Sequence, residues 1–240
     1  MSMMHRLVSV DVRIPLRRGL KTSGRLSLWL LCTNMILFGA ICIPEIQALP
    51  GTGSPMEAMR TTVSDALGVL QDQELKRPER TEERATRLKN IADSRFDYEE
   101  MAKRSLGGHW DKLGDREQRE FVILFTEFLT NTYMEKIRDY AGEEVKFLNE
   151  RLEGNYAEVK SFMVRKKTEI PLDYRLLLRG GEWKAYDVVV DGISLVRNYR
   201  EQFTAILRSS SYEYLAQMLR EKNMQYAAKS KSGEQRTSSR

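Results

Sequence analysis

Two carboxylates flank a run of valines in this chain: Asp187 and Asp191 stand on either side of Val188, Val189 and Val190. A carboxyl group held in apolar surroundings has its charged form disfavoured and can act as a general base near neutral pH. On a strand the two acids would share a face with Trp183 and Val189. A small-molecule enzyme, such as an isomerase on a cone-shaped α+β fold, could use Asp187 in that way, provided it lined a pocket opposite a tyrosine donor. The other reading is structural and is preferred: Asp187 pairs with an arginine such as Arg175 or Arg200, and Asp191 serves the turn into the next helix. No other catalytic constellation stands out. His5 lies in the N-terminal leader region, so His109 is the single histidine of the rest. A Ser-His-Asp or metal site would rest on it alone, and a histidine beside Trp110 after a Gly-Gly pair is ordinarily a surface or packing residue. P-loop, GxGxxG, GxSxG and HExxH motifs are missing. The expectation is no enzyme, no metal and no cofactor.

The chain has instead an excess of apolar and aromatic residues at regular spacing. Helical periodicity starts at Met56 and runs through Met59, Val63, Ala66, Leu67 and Leu70; a charged helix follows Pro78. Asp97 with Glu100 caps a short helix carrying Met101, Ala102 and Leu106. The strongest helix begins at Asp115, with Phe121, Leu124, Phe125, Phe128, Leu129, Tyr133, Ile137 and Tyr140 on one side. The period then changes to two: strands begin at Glu143, Tyr156, Ile170 and Glu182, with turns at Glu153–Asn155 and at Gly180-Gly181. The strand from Glu182 reads as apolar on both faces, Tyr186, Val188 and Val190 on one and Trp183, Ala185 and Val189 on the other. A helix from about Ser194 carries Leu195, Tyr199, Phe203, Ile206 and Leu207, and Ser210 with Glu213 caps a last helix. Helices, a meander and more helices make an α+β plan, with a sheet curled over by helices on one side.

Charge is unevenly divided. The whole chain stands at +5. Residues 1–48 hold six basic and two acidic side chains, and residues from Ala227 onward hold four basic and one acidic, which leaves −2 for 49–226. A nearly neutral body is a poor match for a phosphate backbone, so nucleic acid is not expected as a partner. Residues 1–48 read as a signal peptide: a basic stretch to Arg25, an apolar run from Leu26 to Ile43, Pro44, and a cleavage site after Ala48. An uncleaved inner-membrane anchor is the alternative, because about 18 apolar residues lie near the lower limit for spanning a bilayer. A lipoprotein signal fits poorly, since Leu31 and Ile41 precede Cys32 and Cys42. Both cysteines lie inside the run, so the exported chain would have no disulfide and no thiol nucleophile. Residues 49–55 are a flexible leader, 56–222 the folded domain, and 223–240 a disordered basic tail.

Three stretches, in order, resemble the MlaC family, also known as toluene-tolerance proteins: FDYEEMAKRSLGGHW (96–110), EFVILFTEFLTNTY (120–133) and WKAYDVVVDGISLVRNYREQF (183–203). The likeness covers roughly 56–222. It implies a periplasmic, monomeric phospholipid carrier of the Mla ABC transport system. Such a carrier shuttles lipid between an inner-membrane ABC transporter with an MCE-domain subunit and an outer-membrane lipoprotein–porin complex, and so maintains outer-membrane lipid asymmetry. It also implies N-terminal helices joined to a curved antiparallel meander of the nuclear-transport-factor-2-like or cystatin-like kind, with C-terminal helices and an apolar cavity. Bound phospholipid would be the only ligand. Burying a methylene contributes about 0.8 kcal/mol, so exposing the two tails of a phospholipid, on the order of 28 methylenes, costs roughly 20 kcal/mol or more. Only a deep dry site offsets that. Face and spacing nominate Phe121, Phe125, Phe128, Tyr133, Val188, Val190, Leu195, Tyr199 and Phe203 as its lining.

Overall fold

The structure is a computed structural model that describes residues 53–138, 140–165 and 168–237. The expected signal peptide, with both cysteines and His5, lies outside the described residues. Among the described residues six α-helices and five strands follow one another: α1 (Pro55–Gln71), α2 (Thr81–Arg95), α3 (Tyr98–Leu106), α4 (Asp115–Arg138), β1 (Glu144–Glu153), β2 (Tyr156–Arg165), β3 (Thr168–Arg179), β4 (Glu182–Val190), β5 (Ile193–Ser194), α5 (Leu195–Ser209) and α6 (Tyr212–Thr237). The strands form one antiparallel sheet in sequence order. This is the expected α+β plan, with a two-residue strand β5 added where Gly192 turns the chain back onto β4.

Local chemistry explains the helix starts. Ser54 caps α1 by accepting from the Glu57 amide at 3.1 Å, and Pro55 occupies the first turn, where its missing N–H costs nothing. Asp97 accepts from the Glu100 amide at 3.0 Å, and Ser194 from the Arg197 amide at 3.0 Å. For α6 the cap is Ser211, facing the Tyr214 amide at 3.4 Å, one residue beyond the expected Ser210. Helix α6 also continues past Lys222, the expected end of the folded domain. The buried Asn223 donates its side-chain amide to the Leu124 carbonyl of α4 at 3.1 Å, and Tyr226 meets the Thr132 hydroxyl at 3.4 Å. Polar contacts of this kind leave little trace in an apolar pattern.

Register decides what the sheet presents. Directly opposed residues of an antiparallel pair share a face. Leu178 opposes Trp183 and Leu176 opposes Ala185, but Arg175 opposes Asp187, so Tyr186 is an extra residue in β4. The bulge places Tyr186 and Asp187 on one face together and reverses the alternation beyond them. Val188 opposes Tyr174 and Val190 opposes Leu172. Trp183, Ala185, Val188 and Val190 therefore share a face, and the expected separation of Val188 from Trp183 is corrected. The strand has one apolar face; the other carries Tyr186, Asp187 and Val189.

On the apolar face Met59 of α1 packs into a core with Ala157, Val159, Tyr174, Leu176, Trp183 and Ala185. From the opposite face Arg104 of α3 lies 4.1 Å from the centre of the Tyr186 ring, so helices meet both sides of the sheet. The free edge of β4 is covered by the α2–α3 junction: the Asp97 amide donates to the Ala185 carbonyl at 2.8 Å, and Arg95 donates to the Trp183 carbonyl at 2.6 Å. That cover removes an exposed template for intermolecular pairing.

Two tests follow from this packing. Gly107 closes α3 at φ +55°, and an added Cβ would lie 3.2 Å from Cδ of Arg200. Gly107→Ala is expected to cost about 1–3 kcal/mol, read as a lower urea midpoint at unchanged slope; an unaltered midpoint would show that the turn relaxes freely. Burial, aided by the Asp93 carboxylate, pushes the Tyr98 hydroxyl up to about 12. A raised folded-state value gives stability that is complete below the unfolded value near 10 and is lost as pH rises to the folded value. Stability should fall between about pH 10 and 12, and the fall should be shallower in Tyr98→Phe.

Candidate functional site

Most of the nominated aromatic residues come together, but as a solid block. Phe121, Phe125 and Phe128 of α4 meet Tyr199 and Phe203 of α5. Phe125 stands edge-on to Tyr199 at 5.4 Å and to Phe203 at 5.6 Å, Phe128 edge-on to Tyr199 at 5.6 Å, and Phe121 edge-on to Phe203 at 5.8 Å. These are the favoured geometries of packed rings. All five rings are at most 3% accessible, so protein atoms cover them on every side. Side chains with no free surface offer nothing to a ligand in this conformer; the block is scaffold joining α4 to α5. At its end the Tyr199 hydroxyl bonds to that of Tyr133, and burial pushes both hydroxyls up, Tyr199 further.

The other four nominated residues, Tyr133, Val188, Val190 and Leu195, are half-buried. Val188 and Val190 stand apart from the aromatic block, on the apolar face of the sheet. There they continue a strip formed by Val145 and Phe147 of β1, Met163 of β2, and Ile170 and Leu172 of β3, brought side by side by the registers Val145–Met163, Met163–Ile170 and Leu172–Val190. Every member of the strip is half-buried, neither sealed in the core nor free in water. Phe147 stacks on Tyr174 at 6.4 Å, and the Arg60 guanidinium of α1 lies 4.9 Å from its ring centre. Sequence reasoning missed the contributions of β1, β2 and β3, although their period-two pattern was visible; only register shows which of those residues lie beside Val190.

Asp187 has a structural position. It is 2% exposed, and its carboxylate accepts from Arg175 at 3.1 Å, from the Ser194 hydroxyl at 2.6 Å and from the Val196 amide at 3.0 Å. It thereby ties β3, β4 and the start of α5 together, and the expected partner Arg175 is the one found. Three donors converging on one carboxylate occupy the oxygens that a base would need free. Asp191 sits in the turn as read, at φ +50°, its amide donating to the Pro171 carbonyl at 2.9 Å. Among the described residues no group of three His, Cys, Asp or Glu side chains is arranged to hold a metal ion.

A helix-backed antiparallel meander with one incompletely covered apolar strip defines an α+β fold. Comparison with known proteins sharpens that class. The family model described as MlaC protein matches residues 60–221. The intermembrane phospholipid transport system binding protein MlaC of Haemophilus influenzae is 21% identical over 116 residues, which are 46% of this chain and 54% of that protein, so the match spans about half of the relative's length. Among solved structures, the phospholipid-binding protein from Ralstonia solanacearum, determined in complex with a phospholipid, superposes with a TM-score of 0.64 at 22% identity, covering 73% of this chain and 99% of that one. The chain belongs to the MlaC family.

Removing the Asp187 carboxylate leaves Ser194, Val196 and Arg175 without their acceptor. Asp187→Ala is expected to destabilise by about 2–3 kcal/mol, a figure held down by the partial exposure of Arg175, and the isosteric Asp187→Asn by less. Chemical denaturation of the two variants measures this; a carboxylate of no structural weight would leave both midpoints at the parent value.

Proposed function

We propose that this protein binds a phospholipid, with acyl chain against the half-buried strip of the sheet, and carries it through the periplasm. Its partners in this reading are an inner-membrane ABC transporter with an MCE-domain subunit, which loads or unloads it, and an outer-membrane lipoprotein–porin complex. The observation that carries the reading is the strip itself. A run of apolar side chains across four strands, half covered by α1, has the character of a surface awaiting an apolar occupant. The H. influenzae relative is named for intermembrane phospholipid transport and the R. solanacearum structure contains a phospholipid; both agree with it. The lining proposed is Val188, Val190, Leu172, Phe147, Met163 and Ile170, with Tyr133 and Leu195 at the helical side, while Phe121, Phe125, Phe128, Tyr199 and Phe203 hold the wall in place. No helix among the described residues is long and apolar enough to cross a membrane. Loading and release need a membrane complex to receive the tails directly, because passage through water costs roughly 20 kcal/mol.

Organic extracts of protein freshly isolated from the periplasm should contain phospholipid by mass spectrometry, and extracts free of lipid would count against the carrier. Val188→Trp discriminates further. If the strip holds acyl chains, the indole displaces lipid with little loss of stability. If the strip is closed core, overpacking costs about 1–3 kcal/mol and lipid content does not change.

A further inference from the structure

The apolar strip on the sheet has two unlike ends. It crosses from Val190 on β4 through Leu172 and Ile170 on β3 and Met163 on β2 to Val145 and Phe147 on β1. Three inter-strand spacings make that about 14 Å, comparable with the ~15 Å that the chains of one leaflet span in a bilayer. At the β4 end the sheet continues: Val190 pairs with Ile193 of β5, and the exposed Asp191, an acid, occupies the turn between them. At the other end β1 closes the sheet, and no described strand pairs with its outer edge. A chain laid across the strip therefore has its open exit at β1.

A cation stands at that exit. Arg60 of α1 is exposed, and its guanidinium lies 4.9 Å from the centre of the Phe147 ring. Its Nη2 donates to Sδ of Met56 at 3.3 Å, and sulfur is a weak acceptor. Among the described residues no carboxylate forms an ion pair with Arg60. Glu57 stands one turn earlier on the same helix, and the carboxylate of Glu150 on β1 accepts from the Met56 amide at 2.6 Å instead. A guanidinium carries five N–H donors in a planar fork. The ring and the sulfur fix where this fork stands and leave most of its donors open.

Packing alone does not call for a charge here. A neutral apolar occupant of the strip would strip water from the guanidinium and return nothing for it, which is costly. An anion at the polar end of the occupant removes that cost, and the arginine fork matches the oxygens of a phosphate two at a time.

We propose that Arg60 binds the phosphodiester of the phospholipid whose chain lies on the strip, so that the tail points toward β4 and the headgroup sits at the β1 edge. The proposal rests on the carrier reading and adds to it an orientation and a selectivity, for phosphate-bearing lipids over neutral lipids with the same chains.

Competition between two lipids tests this. Protein isolated from the periplasm is equilibrated with detergent micelles holding equal amounts of phosphatidylglycerol and of diacylglycerol with identical chains. It is then repurified and extracted, and both lipids are counted by mass spectrometry. The parent should retain phosphatidylglycerol over diacylglycerol by roughly fivefold or more. Arg60→Gln should lower the ratio by that factor, with diacylglycerol taking the place lost, and Arg60→Lys, which keeps the charge without the fork, should fall between. Inorganic phosphate in excess should leave the parent's ratio in place. A parent ratio near one, a ratio unchanged in Arg60→Gln, or a ratio erased by inorganic phosphate, the mark of a free-anion site, would overturn the headgroup contact and leave the carrier reading standing. Retention of neither lipid by the parent would sink both.

Discussion

One extra residue in β4 organises much of this molecule. Tyr186 has no opposite number in β3, so the pleat reverses at that point, and Asp187 faces α5 while Val188 and Val190 rejoin Trp183 and Ala185 on the apolar side. The consequences reach in two directions. Asp187 gathers Arg175, Ser194 and Val196 and fixes where α5 begins; from there α5 lays Tyr199 and Phe203 onto α4. On the other face, the valines complete a strip that starts on β1. A regular strand would have put Val188 and Val190 opposite Trp183, and the sheet would not present one continuous apolar surface. Bulges also bend strands and increase their twist, and a second one at Leu148 of β1 acts at the opposite edge.

Much of this was legible in the residues. The change from helical to strand period near Glu143, the Gly180-Gly181 turn, the cap at Asp97 and the helix start near Ser194 are local signals, and each corresponds to the observed element. That Asp187 pairs with an arginine followed from charge; that the partner is Arg175 and not Arg200 is set by the register. The bulge did not follow, because nothing in Ala185-Tyr186-Asp187-Val188 distinguishes an inserted residue from an alternating one; only the pairing with Arg175 and Leu176 does. That one ambiguity made a strand with a single apolar face read as a strand with two. The aromatic stripe on α4 posed a different difficulty. Spacing shows that Phe121, Phe125 and Phe128 face inward, but whether they meet other rings or an open space depends on how closely α5 approaches, which is a property of packing. The end of the folded domain was missed at Asn223 for a third reason: a buried amide bonded to a backbone carbonyl has no hydrophobic signature.

Division of labour between the layers makes physical sense for a lipid carrier. A site that must release its ligand cannot be as tightly interlocked as a core, because ordered packing resists opening. The aromatic block between α4 and α5 is rigid and dry, whereas the strip on the sheet is covered only in part. In the proposed carrier, stability is thus concentrated away from the surface that would have to change its contents.

The central claim is that acyl chains lie against the apolar face of the sheet, next to Val188 and Val190, and not within the α4–α5 block. A crystal structure of the protein purified with its native lipid tests this most directly. Continuous density for an acyl chain in contact with Val188, Val190 and Leu172, with the rings of Phe125 and Phe203 still stacked on their neighbours, is the outcome expected. Density threading between α4 and α5, or a sheet face closed by side chains with lipid bound elsewhere, would contradict it.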